Sequence, residues 1–383
     1  MSTEVLPVGI KCSLACKYCY QDPMRAQNNY SPRAYSVDAM IESIDKLGGQ
    51  FTLFGGEPLL TPIEDLHRLW AHGLEKYGKN GVQTSLSYWK PEFYEMFRKY
   101  KVDVGVSLDG PHDLNSPRCD TAQTSEIHSR FVTLIKEGYP VSLITTLHVH
   151  NSVDGKLDKL CSWFNMLGSM GLKWARIHLL EVDTKYAQNL ALSEDEAFNA
   201  VVRISELENG ICFDMFTDMI KLLMGRTQDT SCIWNSCDPL TTPAVQGIMS
   251  DGSMSNCGRV NKDGINWLKS ESPLPRQHER LLALYNTPEE FNGCKGCRFF
   301  FACKGECPGQ SKDWRERTDH CGLLKRLFSY TENRLLAQGK QPISLRDDVN
   351  DFNLMMANPN HHGDHYDFKS IEATVGRDSV ADV

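Results

Sequence analysis

The chain has 383 residues, 41% hydrophobic and 23% charged, which is the composition of a globular protein with a buried core. The formal net charge of -8 argues against a broad nucleic-acid-binding surface. The first residues lack the basic and apolar segments of a signal peptide, and no apolar run reaches the length of a membrane helix, so we expect a cytoplasmic protein without a membrane partner. Fourteen cysteines in such a protein indicate metal or redox chemistry rather than disulfides.

Short β-rich segments alternate with helix-period segments through the first half of the chain. Six strands are predicted, near residues 3–10, 50–54, 81–87, 102–108, 140–148 and 173–180. Repeated βαβ units require parallel strands with right-handed crossovers. The predicted fold class is therefore α/β, with a partial (βα)6 TIM-like barrel over residues 1–210. Catalytic groups are expected at the carboxyl ends of its strands.

Capping signals mark several expected helix ends. The Thr-Pro-Ile-Glu sequence at residues 61–64 predicts a capping box with proline at the first helical position, and Ser193 with Glu196 predicts a second box. Gly48 and Gly78 stand where helices are expected to stop.

The carboxyl-terminal part of the chain differs in composition and in sequence periodicity. From about residue 225 to residue 321 the segments are short and rich in Gly, Pro and Cys, without sustained helical or strand period, which predicts a region that folds around metal. A helix is expected near 321–338. The tail at 341–383 is polar and weakly patterned. Its histidines at 361, 362 and 365 could suggest metal, but no second cluster of ligands supports a metal site, which favours a solvated or substrate-covering segment.

Three cysteines follow the first predicted strand directly, at Cys12, Cys16 and Cys19. They place three thiolates on one loop at the mouth of the predicted barrel. Three cysteines leave one iron of a four-iron cluster without a protein ligand, and that iron is free to chelate a substrate or cofactor. The alternative is a zinc site or a set of buried thiols, although the segment has no obvious fourth ligand for zinc.

The spacing C-x-x-x-C-x-aromatic-C resembles the signature of the radical S-adenosylmethionine (SAM) superfamily. The resemblance implies that these cysteines hold a [4Fe–4S] cluster, that its unique iron binds the methionyl amine and carboxylate of SAM, and that Tyr18 lies near the adenine. Further segments resemble the family's SAM-contacting motifs on successive strands: Gly55, Gly56, Glu57 and Pro58 for the methionyl ammonium, Ser85 on strand three in place of the usual Asn, and Ser107, Asp109 and Arg118 for the ribose and carboxylate.

The later cysteines resemble the seven-cysteine pattern of the SPASM domain, which is found in radical enzymes that modify peptides and proteins. The resemblance implies two auxiliary [4Fe–4S] clusters within residues 225–330, for a total of three clusters. Auxiliary cluster II would use Cys294, Cys297, Cys303 and Cys321. Auxiliary cluster I would use Cys237, Cys257 and Cys307, with Cys232 as a candidate fourth ligand. A zinc ribbon formed by Cys294, Cys297, Cys303 and Cys307 is the alternative. Cys119, Cys161 and Cys212 are expected to be ordinary small apolar residues.

The resemblance implies a peptide maturase. Such an enzyme would form a 5′-deoxyadenosyl radical and abstract hydrogen from a ribosomally made peptide, giving a cross-linked, cyclised or oxidised residue. Its partners would be the precursor peptide and a reductant such as flavodoxin or ferredoxin. No leader-binding domain is expected before the barrel, so either a separate leader-binding protein supplies that function or the substrate binds otherwise.

Three alternatives remain. The first is formylglycine formation as in sulfatase maturases, which use an aspartate directly after the cysteine corresponding to Cys257, where this chain has Gly258. The others are a dehydrogenase acting on a small molecule and a non-enzymatic zinc or electron-transfer protein. His148, His178 and Glu181 stand near predicted strand ends and are candidates to face a substrate, although histidines in such places are more often structural.

Overall fold

The computed structural model describes residues 2–26, 34–182, 185–226, 230–234, 237, 245–261 and 279–345. The chain forms two compact units. The first comprises residues 1–213 and 243–271, and the second comprises residues 214–242 and 272–383. The three domains expected from the sequence, at 1–210, 225–330 and 341–383, stay a prediction, and most of the tail lies outside the described residues.

The first unit contains a nine-stranded sheet in the order β7-β6-β5-β4-β3-β2-β1-β8-β9. All neighbouring strands are parallel except β8 and β9, which are antiparallel. The strands are β1 (Ser2–Leu6), β2 (Phe51–Leu53), β3 (Asn80–Thr84), β4 (Val102–Ser107), β5 (Val141–Leu147), β6 (Trp174–Leu179), β7 (Cys212–Phe213), β8 (Val245–Met249) and β9 (Met254–Asn256).

Helices connect the parallel strands and continue into the second unit. Within the described residues, none is long and apolar enough to cross a membrane. They are α1 (Asp22–Ala26), α2 (Val37–Leu47), α3 (Ile63–Tyr77), α4 (Glu92–Lys99), α5 (Thr121–Lys136), α6 (Gly155–Ser169), α7 (Lys185–Gln188), α8 (Glu194–Ser205), α9 (Asp214–Leu223), α10 (Gly258–Asn261), α11 (Glu279–Asn286), α12 (Phe300–Cys303) and α13 (Cys321–Ala337).

The predicted strands and the α/β class are confirmed, because β1 to β6 fall at the six expected places and pair in parallel. The region after residue 225, expected to lack a sustained strand period, contains two short strands. Strand β8 joins the sheet beside β1, and β9 pairs with β8. With five and three residues, these strands are too short to show a clear alternation of apolar and polar residues.

Three of the predicted helix ends are confirmed and one is wrong. The capping box at Ser193 is confirmed, with both reciprocal hydrogen bonds to Glu196. Gly48 and Gly78 end α2 and α3, as expected. The box at residues 61–64 is wrong, because Thr61 ends a preceding 3-10 helix and makes no side-chain cap for α3.

The core of the second unit is built on α13, which confirms the helix predicted near residue 321. Leu323, Leu324, Leu327 and Phe328 share one buried face. Trp234, which is fully buried, packs edge-on against Phe328.

A tight loop follows α12, and one arginine holds it. Lys304, Gly305 and Glu306 all have positive φ, a conformation that leaves their carbonyls without regular partners. The buried Arg280 guanidinium donates hydrogen bonds to the carbonyl oxygens of all three, and also to those of Trp314 and Glu316. Since a planar guanidinium carries five N–H donors in fixed directions, lysine cannot replace this pattern.

We expect Arg280→Ala to lower the free energy of unfolding of the second unit by roughly 3–5 kcal/mol, because several buried carbonyls lose their donor at once. Arg280→Lys should recover little of this loss. Arg315→Ala removes an arginine that is 65% exposed and is the matched control, with an expected change below about 0.5 kcal/mol. Denaturant unfolding followed by circular dichroism provides the measurement, and equal midpoints for Arg280→Ala and Arg315→Ala would contradict the assigned role.

Candidate functional site

The segment after β2 packs backbone to backbone against the segment that leads into the first cysteine loop. The Gly56 and Glu57 N–H groups donate to the carbonyl oxygens of Gly9 and Lys11, at 3.0 and 2.8 Å. A Cβ atom at Gly55 would collide with the Gly9 carbonyl oxygen, and one at Gly56 with the Lys11 carbonyl oxygen. The two glycines are therefore required for this close approach, which positions the cysteine loop.

Glu57 lies buried behind this contact, and four donors satisfy its carboxylate. Oε1 accepts from the Thr84 hydroxyl at 2.6 Å and from the Leu59 N–H at 3.3 Å. Oε2 accepts from the N–H and the hydroxyl of Ser85, at 3.0 and 2.5 Å. Burial raises the pKa of Glu57, and these hydrogen bonds partly offset the rise. Ser85, which replaces the family's usual Asn, thus has a defined partner inside the protein.

The Ser85 hydroxyl is also the start of a chain of hydroxyl contacts that reaches the cysteine loop. It lies 2.6 Å from the Ser87 hydroxyl, which lies 2.6 Å from the hydroxyl of Ser13 in the cysteine loop. Elsewhere at the same edge of the sheet, Gln83 donates to the Ser107 hydroxyl at 2.9 Å. Ser85 and Ser107 therefore stand within polar networks at the carboxyl ends of β3 and β4.

Asp109 is the second fully buried carboxylate of the site. Its Oδ1 accepts from the Thr146 N–H at 2.9 Å, and its Oδ2 pairs with the Arg118 guanidinium at 2.9 Å and accepts from the Tyr18 hydroxyl. Burial favours the protonated acid, but the charge of Arg118 and the hydrogen bonds from His148 and Tyr18 outweigh it and hold the pKa of Asp109 well below its usual range. The carboxylate is therefore ionised and its charge is neutralised.

His148 belongs to this network and is fully buried, so it does not face a substrate as the sequence suggested. Its Nδ1 accepts from the His150 N–H at 3.2 Å, and its Nε2 lies 3.3 Å from Asp109 Oδ2. Because Nδ1 accepts, Nε2 carries the proton and donates it to the carboxylate. His148 orients Asp109 within the protein.

The thiols of Cys12, Cys16 and Cys19 lie near one another on the loop after β1. Burial and the neighbouring Cys19 and Cys12 thiolates raise the pKa of Cys16 to about 12, while the charge of Arg118 opposes the rise. Arg25, which the sequence did not single out, donates to the Cys19 sulfur at 3.3 Å and to the Ile10 carbonyl oxygen at 3.0 Å.

These residues fit a [4Fe–4S] cluster that binds SAM at its open iron. Three neighbouring thiols are the donor set for three irons, and a nearby arginine offsets the negative charge of thiolates. Within the described residues, no group of three or more Cys, His, Asp or Glu side chains is arranged to hold a single metal ion. The SAM contacts of Tyr18, Ser85, Ser107, Asp109 and Arg118, and those of Gly55, Gly56, Glu57 and Pro58, stay predictions.

Four cysteines of the second unit also lie together. Burial, and then the charges of the Cys297 and Cys321 thiolates, raise the pKa of Cys294 to about 12. Burial raises the pKa of Cys303, and the charges of the Cys294, Cys321 and Cys297 thiolates add to the rise. The four are those expected to hold auxiliary cluster II.

The residues expected to hold auxiliary cluster I are distributed differently. Cys257 follows β9 in the first unit, where its charge raises the pKa of the Tyr20 hydroxyl. Cys232 begins a 3-10 helix of the second unit, and Cys307 is buried at the end of the loop held by Arg280. Cys237 is the one described residue between 234 and 245. Their shared ligation stays a prediction.

His178 and Glu181, at the carboxyl end of β6, are part of an ionic cluster in the first unit. The Arg259 guanidinium pairs with Glu181 and donates to His178 Nε2. The imidazole of His178 lies 3.6 Å from the Glu181 carboxylate. Arg259 also lies over the ring of Tyr20, with 5.3 Å between the guanidinium carbon and the ring centroid.

Comparison with known proteins identifies the chemistry. The model of the Radical SAM superfamily matches residues 6–163, a range that includes Cys12, Cys16 and Cys19. The serine-type anaerobic sulfatase-maturating enzyme of Bacteroides thetaiotaomicron is 26% identical over 348 residues, which cover 79% of this chain and 81% of the relative. The chain contains a Radical SAM domain. Membership of this superfamily implies a [4Fe–4S] cluster and SAM as cofactors.

Solved structures agree on the fold of this radical SAM enzyme. Native anSMEcpe with bound AdoMet and a Cp18Cys peptide superimposes with a TM-score of 0.68 at 18% identity, over 88% of this chain and 98% of that chain. Streptococcus suis SuiB bound to its precursor peptide SuiA superimposes with a TM-score of 0.54 at 16% identity, over 84% and 75%. The predicted fold class is thereby confirmed.

We expect Asp109→Asn to reduce the free energy of unfolding of this radical SAM enzyme by about 3–5 kcal/mol, because it leaves the buried Arg118 charge without its carboxylate. Asp113→Asn, which changes an exposed carboxylate in the next turn, is the matched control. Thermal unfolding of the anaerobically purified proteins and their iron content are the measurements. An Asp109→Asn protein as stable as Asp113→Asn would contradict the network described here.

Proposed function

We propose that this radical SAM enzyme modifies a peptide, leaving a cross-linked, cyclised or oxidised residue. The observation that carries the proposal is the pairing of a radical SAM site on the first unit with a second group of four neighbouring cysteines, Cys294, Cys297, Cys303 and Cys321, on the second. Relatives that act on or bind peptides and proteins support it, namely the sulfatase-maturating enzyme, the peptide-bound anSMEcpe and SuiB with its precursor peptide.

In this proposal Cys12, Cys16 and Cys19 hold the cluster whose open iron binds SAM. The bound cofactors supply an electron that cleaves SAM and a 5′-deoxyadenosyl radical that abstracts hydrogen from the peptide. The protein's part is to hold these groups rigidly. Gly55 and Gly56 allow the close backbone contact that positions the cysteine loop. The Asp109 network holds Tyr18 and Arg118 beside Cys16.

The proposed cofactors are three [4Fe–4S] clusters. Auxiliary cluster II would be held by the four neighbouring cysteines, and auxiliary cluster I by Cys232, Cys237, Cys257 and Cys307. Residues 1–210 would form the radical SAM domain, and residues 225–330 the SPASM domain. The proposed partners are a precursor peptide, a flavodoxin or ferredoxin as reductant, and a separate leader-binding protein.

Iron content tests the three-cluster proposal. Anaerobically reconstituted protein should carry about 12 iron atoms per chain, since each cluster contributes four. Cys232→Ala should perturb the spectra of auxiliary cluster I alone, whereas Cys119→Ala, which changes a cysteine outside all proposed sets, should leave iron content unchanged. Iron near four per chain, or zinc in its place, would contradict the auxiliary clusters, and unchanged spectra in Cys232→Ala would contradict that ligand.

Peptide conversion tests the function itself. Synthetic peptides on one polar background, each presenting a serine or a cysteine, should be incubated with SAM and dithionite. We expect at least one peptide to accelerate 5′-deoxyadenosine formation, because substrate closes the site and excludes water, and to show a mass change. Cys16→Ala should abolish both while Cys119→Ala retains them. Conversion by Cys16→Ala, or turnover of free amino acids or simple alcohols with no response to any peptide, would overturn the proposal.

A further inference from the structure

Arg25 of α1 contacts the sulfur of one of the three loop cysteines. Its guanidinium donates to Cys19 Sγ at 3.3 Å and, through Nε, to the Ile10 carbonyl oxygen at 3.0 Å. The nitrogen that contacts the sulfur also donates to Gln21 Oε1 at 3.2 Å. The side chain is only 13% exposed. Three acceptors therefore hold the guanidinium in one position beside the sulfur.

The chain turns back on itself after Cys19, which brings Arg25 to that sulfur. The Cys19 N–H donates to the Cys16 carbonyl oxygen at 3.1 Å, and the Asp22 N–H donates to the Cys19 carbonyl oxygen at 2.9 Å. The Arg25 N–H then donates to the Gln21 carbonyl oxygen at 3.1 Å. Because these turns follow one another, a side chain six positions after the last cysteine of the loop reaches its sulfur.

The contact with Ile10 places Arg25 at the other end of the cysteine loop as well. The carbonyl oxygens of Gly9 and Lys11 accept hydrogen bonds from the segment after β2. The Ile10 carbonyl oxygen, which lies between them in the chain, accepts from Arg25 instead. One guanidinium therefore joins the segment that enters the cysteine loop to the last cysteine of that loop.

Arg25 also brings a positive charge that no buried carboxylate cancels. Arg118, which lies beside Cys16, is paired at 2.9 Å with the fully buried Asp109, so that pair is neutral as a whole. The carboxylate paired with Arg25 is that of Asp22, which is 3.9 Å away and 53% exposed. Solvent screens such an exposed partner. The charge of Arg25 is therefore felt at the cysteine sulfurs.

The thiolates of the loop act on Arg25 in return. Burial lowers the pKa of Arg25, but the charges of the Cys19, Cys12 and Cys16 thiolates and the hydrogen bond to Cys19 outweigh it and raise the pKa above its usual range. The guanidinium is therefore charged. The Leu14 N–H also donates to a sulfur, that of Cys12 at 3.4 Å, but it carries no charge.

We propose that Arg25 is a positioning residue that raises the reduction potential of the SAM-binding cluster. Net charge and hydrogen bonds to sulfur both set the potential of an iron–sulfur cluster. A cluster that accepts an electron becomes more negative, so a cation that donates to Cys19 Sγ stabilises the reduced form. The inference rests on the proposed function only in taking Cys12, Cys16 and Cys19 as the ligands of that cluster.

The electron balance gives this charge a consequence for turnover. One electron passes from the external reductant, a flavodoxin or ferredoxin, to the cluster, and the same electron passes to SAM, whose carbon–sulfur bond then breaks. A higher potential increases the fraction of cluster that a given reductant keeps reduced. It also lowers the driving force for cleaving SAM, so Arg25 sets the balance between the two transfers.

The test compares anaerobically reconstituted Arg25→Gln, Arg25→Lys and wild type by redox titration followed with electron paramagnetic resonance. The signal that changes when SAM is added identifies the SAM-binding cluster among any others. We expect Arg25→Gln to lower its reduction equilibrium constant about tenfold, a shift of about 59 mV for one electron, because the variant loses the charge. Arg25→Lys should show a smaller shift. Arg98→Gln, which changes an arginine that is 61% exposed on α4, is the control and should match wild type.

Iron content, measured on the same samples, separates potential from assembly. We expect all variants to carry the iron of wild type, since no cysteine is changed. A wild-type potential in Arg25→Gln would overturn the inference. Loss of about four irons and of the SAM-sensitive signal in both Arg25 variants would overturn it too, because the residue would then be needed only to form the loop. If Arg25→Gln alone loses the cluster, a lowered potential in Arg25→Lys supports the inference and a wild-type value overturns it.

The measurements need no peptide, so they distinguish this inference from the proposed function. Failure to modify any peptide would overturn the proposed function and leave the potentials of the Arg25 variants to decide the inference. Absence of any SAM-sensitive signal from wild type would instead contradict the cluster at Cys12, Cys16 and Cys19, and the inference with it.

Discussion

Burial of the Asp109 carboxylate is the constraint that determines how the segments at the carboxyl end of this sheet are arranged. A carboxylate removed from water must be neutralised and hydrogen-bonded, and here the required groups come from several parts of the chain. Tyr18 comes from the cysteine loop, Arg118 from the segment after β4, and the Thr146 N–H from β5. One buried charge therefore ties the loop after β1 to strands that lie several positions away in the sheet. In the same way, the buried Glu57 carboxylate links the segment after β2 to the end of β3, because it accepts hydrogen bonds from Thr84 and Ser85.

The result is a site whose cofactor-facing half is rigid. The cysteine loop is held by the glycine contact at Gly55 and Gly56, by the Asp109 network and by Arg25. Such rigidity suits radical chemistry, because a reactive intermediate must meet its intended hydrogen atom before it meets any other group.

Much of the fold and the site could be predicted because the signals are local. Six strands show β-rich runs between helix-period segments, and the spacing of Cys12, Cys16 and Cys19 is readable within eight residues. Other features have no local signal. Strands β8 and β9 are short. Strand β8 pairs with β1, which is distant in sequence, and β9 pairs with β8. Arg25 and Arg280 act on a sulfur and on backbone carbonyls, partners that leave no pattern of side chains to read. His148 stayed open between a structural and a substrate-facing role, because sequence position alone does not reveal its burial.

The place of β8 in the sheet has a consequence for how the first unit assembles. Without β8, strand β1 would be an edge, presenting a row of unpaired N–H and C=O groups. The chain completes β1 at residue 6 but reaches its second neighbour only at Val245–Met249, after the other parallel strands have been made. The strand that leads to the cysteine loop thus remains open on one side through most of synthesis. Pairing over such a separation is slow to form, so the nascent enzyme passes through a long aggregation-prone stage before its first strand is enclosed.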